Sequence, residues 1–511
     1  MQKNQQNISR TAAAAKNLFV GAGGKIILLG ATFLVRTLFI RILGVEYTGI
    51  SSLYTNILSF LSLAELGMGS VLIFELYQPL QEKNEEIVSA YVALFQKIYF
   101  VVICAVLGIG ICLLPFLKVI TNSSLDQGHL IGYYLLYLVD SVCSYFVVYR
   151  TTVIEADQKR YVTQTVDIVT KLVMYICQSV FLVLYRNFVG YLCIQVVFTI
   201  VKNVILHIIA TRMYPYLKQK PSRRLAPEKV QEIFKNVRAT FIARVSNVVL
   251  TQTDSIIISV FLGVVAVGYY TNYNMIVVYI NSIYSIIYSS LEASVGSLNA
   301  EHNDEKSFGM YKKLSLFFGL LNAFFVVGYL CLVQDFIEIW IGADYLKNMD
   351  LVIAILLSIY FGQATNVVSM YRQTMGLFIE VRKIYPLMAV INVVASIILA
   401  KLMGLAGIPL GTAIARLFTV FWFEGKIVFS KMHRTFMEYV RQQIFFASFT
   451  MLTCLIAYRL CSLAPGEGVV ALVVNGSICI LTISAISWVV FGRSEEWRWM
   501  IEQLKERLDK H

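Results

Sequence analysis

The sequence predicts an all-α polytopic membrane protein with about fourteen transmembrane helices. Three observations support this prediction. The 511 residues are 58% hydrophobic and only 14% charged, whereas about one quarter of the residues in a soluble domain are charged. Apolar runs of about 20 residues, long enough to cross a bilayer, recur along the chain. Lysine and arginine are concentrated in alternate loops between these runs.

The predicted spans begin directly after a polar and basic N-terminus. That N-terminus does not resemble a cleavable signal peptide, because the apolar run after it is too long for a signal core. The approximate limits of the spans are 18–42, 50–74, 91–115, 130–151, 163–185, 188–211, 239–262, 265–291, 314–336, 350–375, 384–403, 406–428, 443–463 and 469–491.

The basic loops predict the orientation in the membrane. With the N-terminus inside, the cytoplasmic segments contain roughly 28 Lys and Arg residues and the external loops about three. The loop from Arg212 to Arg238 contributes eight of them and also carries three prolines. Both termini are therefore expected in the cytoplasm. The net charge of +12 is attributed to loops beside anionic membrane lipid, and a nucleic-acid partner is not expected.

The basic loop also suggests a division into domains. The predicted domains are an N-lobe with spans 1–6 (1–211), a basic cytoplasmic linker (212–238), a C-lobe with spans 7–12 (239–430), spans 13 and 14 (431–491) and a cytoplasmic amphipathic tail (492–511). Trp497, Trp499 and Met500 of the tail could contact lipid headgroups. An ordinary charged tail helix fits the same residues equally well.

A shift of 219 residues aligns the two halves and indicates an internal repeat. It places Leu43-Gly44-Val45 and Gly49 on Leu262-Gly263-Val264 and Gly268, Tyr54 on Tyr273, and Asn84-Glu85-Glu86 on Asn303-Asp304-Glu305. Apolar composition alone does not explain a constant offset that holds through turns, a span and an acidic loop. Six spans per repeat is an even number, so both halves are expected to enter the membrane in the same sense. Spans 13 and 14 lie outside the repeat.

The same shift pairs two cations inside the predicted spans. Lys25 falls on Arg244, and each lies roughly 10 Å into the first span of its half. Each cation belongs to a polar stripe on one face of its predicted helix. The first stripe consists of Lys25, Thr32 and Arg36, and the second of Arg244, Asn247, Thr251 and Ser255. Because a polar stripe that faces lipid is costly, we expect both to line a cavity. The alternative for Lys25 and Arg36 is that the side chains extend to the interface.

Other intramembrane charges have two possible interpretations each. Glu65 is expected at the depth of Lys25 and could form an ion pair with it, whereas Asp254 could bind a coupling proton or sodium ion. Asp167 and Lys171, at i and i+4, are expected to neutralise one another. The remaining candidates for a cavity lining are Asp140, Lys202, Arg372 and Arg416.

The eighth predicted span is rich in tyrosine and asparagine. Asn274, Asn281 and Tyr288 lie seven residues apart and so share one face of the helix. Such side chains offer stacking surface and hydrogen bonds, which suit sugar hydroxyls, and Asn247 and Thr251 could contribute from the seventh span. A polar contact between helices is the competing interpretation.

Motifs of soluble catalysis are absent from the sequence. It contains no Walker, HExxH or GxSxG motif and no Cys/His array, so neither an enzyme nor a pump that hydrolyses ATP is expected. The nine cysteines lie scattered in apolar runs. They predict small buried side chains, with no disulfide, metal or cofactor.

The segment from Phe39 to Ser70, "FIRILGVEYTGISSLYTNILSFLSLAELGMGS", resembles the first hairpin of bacterial Wzx-type polysaccharide flippases. These belong to the multidrug/oligosaccharidyl-lipid/polysaccharide exporter superfamily. The basic linker and "EIWIGADY" (338–345) after span 9 are similar to the same family. The resemblance covers nearly the whole chain, including two extra C-terminal spans, but its motifs are loose and do not identify the substrate.

The resemblance implies two six-helix lobes in a MATE-like V around a cavity with alternating access, plus two extra C-terminal helices. It implies that undecaprenyl-diphosphate-linked oligosaccharide moves from the inner to the outer leaflet of the bacterial cytoplasmic membrane. A polysaccharide polymerase or glycosyltransferases would be protein partners. The family commonly has a cationic lumen, and Lys25, Arg36 and Arg244 are the positions that fit it as a diphosphate site. No family motif for a coupling ion is present.

Three other functions are compatible with the sequence. A flippase for a lipid-linked peptidoglycan precursor would share the fold and the basic site. A drug/cation antiporter of the same superfamily would need an anionic cavity, which the basic candidate site disfavours. A non-transporting membrane scaffold would tolerate neutral replacements of the intramembrane cations.

Overall fold

The computed structural model describes residues 2–62, 68–218, 225–301, 303–464 and 466–508. Every regular element in these ranges is a helix, which confirms the predicted all-α class. The chain divides into two compact units, residues 1–268 and 269–511. The predicted division into lobes at the linker 212–238 stays a prediction.

Within the described ranges, the first unit contains ten complete α-helices. They are α1 (Gln2–Leu43), α2 (Val45–Leu61), α3 (Met68–Gln81), α4 (Glu85–Cys112), α5 (Leu117–Thr121), α6 (Gln127–Tyr145), α7 (Val148–Ala156), α8 (Arg160–Tyr185), α9 (Phe188–Met213) and α10 (Pro227–Leu262). Helix α10 packs along α2, where the Asn56 amide donates a hydrogen bond to Ser255 Oγ at 2.6 Å. This contact places α10 in the first unit.

Helix α11 (Val264–Ala300) starts in the first unit and continues into the second. The second unit then contains α12 (Asp304–Ile341), α13 (Met349–Gln363), α14 (Asn366–Thr374), α15 (Ile384–Met403), α16 (Gly407–Phe418), α17 (Val420–Lys431), α18 (Phe436–Leu463), α19 (Gly468–Phe491) and α20 (Glu495–Leu508). Helices α18 and α19 correspond to the two spans predicted outside the repeat, and both pack against α12.

Ten helices in the described ranges are long and apolar enough to cross a membrane, or eleven if α6 and α7, which meet at a bend of 44°, form one span. The chain is therefore a multi-pass membrane protein. The count of fourteen is consistent with the structure but stays a prediction. Helices α2 and α3 are separated by residues 63–67, outside the described ranges, and Ile384–Lys431 counts once although two spans are predicted there.

Helix α8 shows why these segments suit a bilayer. Val169, Val173, Ile176 and Val180, spaced three or four residues apart, remain exposed along one face. Another face packs against α1 and α9. A stripe of this kind would be unfavourable in water, but it can face lipid, where the helical backbone already satisfies its own hydrogen bonds.

Glycines matched by the 219-residue shift have the same backbone conformation. Gly44 follows α1 with a φ of 88°, and Gly263 follows α10 with a φ of 86°. Glycine adopts this conformation without the steric cost that a side chain would add. Both glycines separate a long helix from a second helix that begins at the next residue.

Matched polar residues also have the same local role. Asn84 caps α4 by accepting a hydrogen bond from the backbone N–H of Ile87 at 3.1 Å. Asn303 caps α12 in the same way, with Lys306 as donor at 3.0 Å. Each cap is followed by two acidic residues, which are favourable at a helix N-terminus. The structure thus supports the internal repeat at the level of individual helix ends.

The matched tyrosines are both fully buried. Tyr54 lies in the core of the first unit, where its hydroxyl donates to the carbonyl oxygen of Leu130 at 3.1 Å. The Tyr273 hydroxyl donates to Gln334 Oε1 at 2.7 Å. A buried tyrosine usually has a hydrogen-bond partner for its hydroxyl, and here each finds one in its own unit.

Helices α2 and α11 approach each other closely at two matched glycines. A Cβ atom on Gly49 would lie 1.9 Å from the carbonyl oxygen of Val264, and one on Gly268 would lie 2.2 Å from that of Val45. Backbone atoms on both sides leave no room for a side chain. Glycine at both positions is therefore a packing requirement.

We expect Gly49→Ala to destabilise the protein by about 3 kcal/mol, the upper end for overpacking, because the added methyl group meets rigid backbone. The thermal unfolding temperature of the detergent-purified chain measures this change. Gly30→Ala is the matched control, since a Cβ there has no neighbour within 4 Å, and it should be neutral or slightly stabilising. Equal unfolding temperatures for the two variants would contradict the close approach.

The C-terminal tail forms a helix, as predicted, and packs on its own unit. Trp497 contacts the apolar cluster of Leu316, Ala323, Phe449 and Phe491. The Lys313 ammonium lies 5.2 Å from the centre of the Trp499 ring. Both tryptophans of the tail thus contact protein, and the predicted contact with lipid headgroups stays a prediction.

Candidate functional site

Helix α1 carries two of the three candidate diphosphate ligands. Lys25 is exposed, and Arg36, eleven residues further along, is half-buried. The charge of Arg36 is close enough to act on the hydroxyls of Tyr137 and Tyr191, on α6 and α9. Arg36 therefore faces polar groups inside the first unit, whereas Lys25 remains accessible.

Thr32, which lies between Lys25 and Arg36 in the predicted polar stripe, faces α8. Thr32 Oγ1 lies 3.2 Å from the hydroxyl of Tyr175. At Gly24, about two turns before Thr32, α1 approaches Ile168 so closely that a Cβ would lie 2.1 Å from the Ile168 side chain. Part of the predicted cavity stripe is therefore a helix contact within the first unit.

The structure does not describe three of the candidate site residues at the level of side chains. Glu65 lies in the segment 63–67, outside the described ranges, and the side chains of Arg244 and Asn247 on α10 are also outside the described part. Their predicted roles stay predictions. On the same helix, Thr251 is exposed and Asp254 is half-buried.

The three candidate sugar contacts lie along α11. Asn274 is half-buried, and Asn281 is exposed and accepts a hydrogen bond from the side-chain amide of Gln363 on α13. The carbonyl of that amide accepts from Asn366 at 2.7 Å. For Asn281 the structure thus provides the polar helix contact that was the competing interpretation.

Tyr288, the third candidate on α11, lies beside a buried ion pair. Arg372 Nε on α14 and Glu424 Oε1 on α17 are 2.9 Å apart, with side chains 8% and 0% exposed. The same carboxylate accepts hydrogen bonds from Ser369 and Tyr385, each at 2.6 Å. We call Glu424, Arg372, Ser369 and Tyr385 the Glu424 cluster. The charges of its ion pair act on the Tyr288 hydroxyl.

Several charges that were candidates for a cavity lining have partners within their own units. Asp167 lies 2.8 Å from Lys171, which confirms the predicted pair, and 3.3 Å from Lys202. Asp140 accepts from Gln195 and Thr199 at 2.7 and 2.6 Å. These contacts favour a structural role, since each carboxylate already has partners that satisfy it.

Arg416 also has a structural environment. It donates to the carbonyl oxygen of Ser358 at 2.8 Å. Its guanidinium occupies the space beside Gly362, where a Cβ would lie 2.3 Å from it. The side chain therefore fixes α16 against α13.

A large basic cavity in the first unit was not predicted from the sequence. Its volume is about 1220 Å³, and its wall is formed by α4, by the bend between α6 and α7 and by linker residues between Leu217 and Val230. Three cations line it, Lys97, Arg150 and Lys218, and the described lining contains no carboxylate. Phe100 and Phe146 contribute apolar wall and are 65% and 54% exposed.

Arg150 is held in place on the cavity wall. Its Nη1 donates to Thr211 Oγ1 at 3.0 Å and lies 3.4 Å from His207 Nε2. Apolar walls with fixed cations suit an amphiphile that carries an anionic group. The cavity was difficult to predict from the sequence because Lys97 and Arg150 belong to different spans. Their helices line one cavity at the bend between α6 and α7.

The start of α10 is tied to the middle of α3. Lys229 Nζ lies 3.1 Å from the buried carboxylate of Glu75, which also accepts from the Tyr91 hydroxyl at 3.1 Å. A hydrogen bond to Glu232, together with the Glu75 charge, raises the pKa of Lys229 to about 12. The ammonium is therefore charged at every physiological pH.

Known proteins share both sequence and fold features with this chain. Residues 14–291 match the family described as polysaccharide biosynthesis protein. No curated protein matches the chain in sequence. Similar solved structures include the lipid II flippase MurJ in an inward closed conformation, with a TM-score of 0.66 and 14% identity, over 92% of this chain and 98% of that one.

Two further solved structures show the same fold. An inward-facing multidrug resistance MATE family transporter of the MOP superfamily has a TM-score of 0.60 at 12% identity, over 81% of this chain and 95% of that one. A MOP superfamily transporter from Pyrococcus furiosus has a TM-score of 0.52 at 13% identity, over 83% and 97%. These identities show similarity of fold alone.

The matched family and the fold together confirm the resemblance to flippases of the multidrug/oligosaccharidyl-lipid/polysaccharide exporter superfamily. The protein is a membrane transporter of this type and not a catalytic enzyme. Because the family match covers more than half of its residues, the chain belongs to the polysaccharide biosynthesis protein family.

Proposed function

We propose that the protein moves undecaprenyl-diphosphate-linked oligosaccharide from the cytoplasmic to the outer leaflet by alternating access, in the synthesis of a capsule or an O-antigen-like surface polysaccharide. The observation that carries the proposal is the family match, which includes α1 and α10 and so both matched cations. A polysaccharide assembled from lipid-linked units must cross the membrane at some stage. A membrane transporter of this family is the component that fits that step.

The proposed diphosphate ligands are Lys25, Arg36 and Arg244. A diphosphate that leaves water needs concentrated positive charge, and a cation inside a span is itself stabilised when an anion binds to it. The exposure of Lys25 agrees with such a role. The polyprenyl tail can remain in lipid while the head group crosses, so only the charged and sugar parts require a polar route.

The proposed sugar contacts are Asn274, Asn281, Tyr288, Asn247 and Thr251. Of these, Asn281 can donate to a sugar through its amide nitrogen while its oxygen accepts from Gln363. Glu65 and Asp254 are proposed for ion coupling or for an ion pair with the cations. The protein would lie in the bacterial cytoplasmic membrane with both termini inside, beside a polymerase or glycosyltransferases.

The experiment that tests this function is deletion of the gene followed by measurement of the lipid-linked oligosaccharide in each leaflet. We expect the intermediate to accumulate on the cytoplasmic leaflet while surface polysaccharide is lost. A plasmid copy of the gene should restore both. Unchanged surface polysaccharide without an accumulated intermediate would contradict the proposal.

A second candidate is a flippase for the lipid-linked peptidoglycan precursor. It is favoured by the similarity to MurJ over 92% of this chain, and it needs the same basic site for a diphosphate. Expression of the protein in cells depleted of their own lipid II flippase distinguishes the two. Restored growth would favour this candidate over the surface polysaccharide. The drug/cation antiporter is disfavoured by the basic character of the candidate site.

A further inference from the structure

Three cysteine thiols from three separate helices converge in the second unit. Cys331 lies on α12, Cys461 on α18 and Cys479 on α19. Their Sγ atoms all lie within 4.8 Å of one another, and those of Cys461 and Cys479 are 3.9 Å apart. We call these residues the thiol cluster. Nothing in the proposed transport of a lipid-linked sugar requires it.

We infer that the thiol cluster is a binding site for a thiophilic metal ion with a filled d shell, of which Zn²⁺ is the first candidate. Thiolates select such ions over hard cations such as Mg²⁺. Three ligands from three helices would fasten α18 and α19, the two helices outside the repeat, to α12. The inference goes beyond the proposed function and does not depend on it.

The geometry of the sulfurs fits one shared ion. With metal–sulfur bonds of about 2.3 Å, three sulfurs lie about 4.0 Å apart in a planar site and about 3.8 Å apart in a tetrahedral one. The separation of 3.9 Å between Cys461 and Cys479 already has this value. The Cys331 sulfur lies within 4.8 Å of both other sulfurs, so each remaining pair needs to shift by at most about 1 Å, which side-chain rotation can supply.

A disulfide explains the cluster less well. The two sulfurs of a disulfide are about 2.05 Å apart, far closer than the 3.9 Å between Cys461 and Cys479. A disulfide would also leave the third thiol without a role. An ion with three sulfur ligands uses all three cysteines after only a small adjustment of their side chains.

Polar groups around the cluster support a charged occupant. Asp335 lies one turn beyond Cys331 on α12, and Asn475 lies one turn before Cys479 on α19. The Asn475 amide donates to Asp335 at 3.0 Å, and the Cys461 thiol contacts the Asn475 carbonyl oxygen at 3.7 Å. Within the described part of the chain, Asn475 Oδ1 is buried without a hydrogen-bond partner. Polar groups that hydrogen-bond to the ligands of a metal ion commonly orient those ligands.

Charge favours a divalent ion over a monovalent one. Three thiolates around Zn²⁺ carry a net charge of −1, whereas three around Cu⁺ carry −2. Cys479 is only 3% exposed, and a larger net charge costs more in such surroundings. A water molecule would complete a tetrahedral site without adding to this charge.

The test is titration of the full chain, purified in detergent under reducing conditions, with Cd²⁺ as a spectroscopic probe for Zn²⁺. Ultraviolet charge-transfer absorbance reports each cadmium–thiolate bond. We expect one ion per chain, displaced by Zn²⁺. Cys461→Ser and Cys479→Ser should each lower the affinity at least about tenfold, because each removes a direct ligand.

Cys104→Ser is the matched control, since Cys104 is an exposed thiol on α4, far from the cluster in sequence and in the other unit. It should bind like the wild type. Absorbance that persists in the Cys331/Cys461/Cys479 triple serine variant, or saturation well below one ion per chain, would overturn the inference. Displacement of Cd²⁺ by Cu⁺ but not by Zn²⁺ would support the site and overturn the preference for zinc.

A second measurement needs no variant and so does not depend on folding of a mutant. Alkylation of each cysteine in the wild-type chain is followed by mass spectrometry with and without Zn²⁺. We expect Zn²⁺ to slow the modification of Cys331, Cys461 and Cys479 and to leave Cys104 unchanged. Equal rates at the three cluster thiols with and without Zn²⁺ would reject the site.

Discussion

Glu424→Ala is expected to lower the free energy of unfolding by about 3–5 kcal/mol. The substitution removes the partner of Arg372, whose side chain is 8% exposed, and leaves a positive charge buried without compensation. It also removes the acceptor for the hydroxyls of Ser369 and Tyr385. Four helices meet at this carboxylate or beside it, so the loss should be visible as a large decrease in the thermal unfolding temperature of the purified protein.

Two further variants test whether the loss of stability comes from leaving a buried charge unpaired. Glu301→Ala removes an exposed ion pair with Lys306, whose side chains are 52% and 60% exposed, and should change the stability by less than about 1 kcal/mol. Arg372→Met combined with Glu424→Leu should recover much of the loss, because no charge is left unpaired. The role assigned to the Glu424 cluster is wrong if Glu424→Ala unfolds at the temperature of Glu301→Ala.

Lys25→Ala combined with Arg244→Ala is expected to abolish export of the polysaccharide while the protein still inserts into the membrane. The two cations occupy matched positions of the repeat, and together they would supply most of the charge that holds a diphosphate away from water. The measurement compares surface polysaccharide with the amount of protein in the membrane. A complete loss corresponds to failure of the transport step rather than to a change in its rate alone.

Export should depend on the positive charge at positions 25 and 244 rather than on the identity of the two side chains. Lys25→Arg with Arg244→Lys keeps both charges and should retain export. Arg41→Ala removes a cation from the same helix α1, near its C-terminal end and outside the proposed site, and serves as the control for general damage. Normal export by a well-expressed Lys25/Arg244 double alanine variant would eliminate the cationic site and favour a non-transporting scaffold.

Features that depend on local sequence were predictable. Apolar length identified the helices, and i to i+4 spacing identified the pair of Asp167 and Lys171. The acidic residues after Asn84 and Asn303 were expected in a loop, but they form the first turns of α4 and α12, which the N-cap asparagines before them could have indicated. Each of these follows from residues within one or two turns, whose geometry is set by the helix itself.

Features that depend on how helices meet were not predictable. Lys202 reaches Asp167 only because α9 packs along α8. Glu424 could have been noticed, since it interrupts the apolar run "VFWFEGKIVF", but its pairing with Arg372 required the positions of α14 and α17. The thiol cluster shows the same limit. Its three cysteines are unremarkable in sequence, and only the packing of α12, α18 and α19 brings them together.

The close glycine contact between α2 and α11 has one further property. The shift of 219 residues carries Val45 onto Val264 and Gly49 onto Gly268. Gly49 meets the backbone of Val264, and Gly268 meets the backbone of Val45. Each contact is therefore the other with the two halves exchanged, which is the isologous arrangement of a symmetric homodimer. Within residues 45–268 the chain thus brings together two matched segments as a symmetric homodimer brings together two copies of one segment, and the covalent connection between them replaces dependence on concentration with a fixed effective molarity.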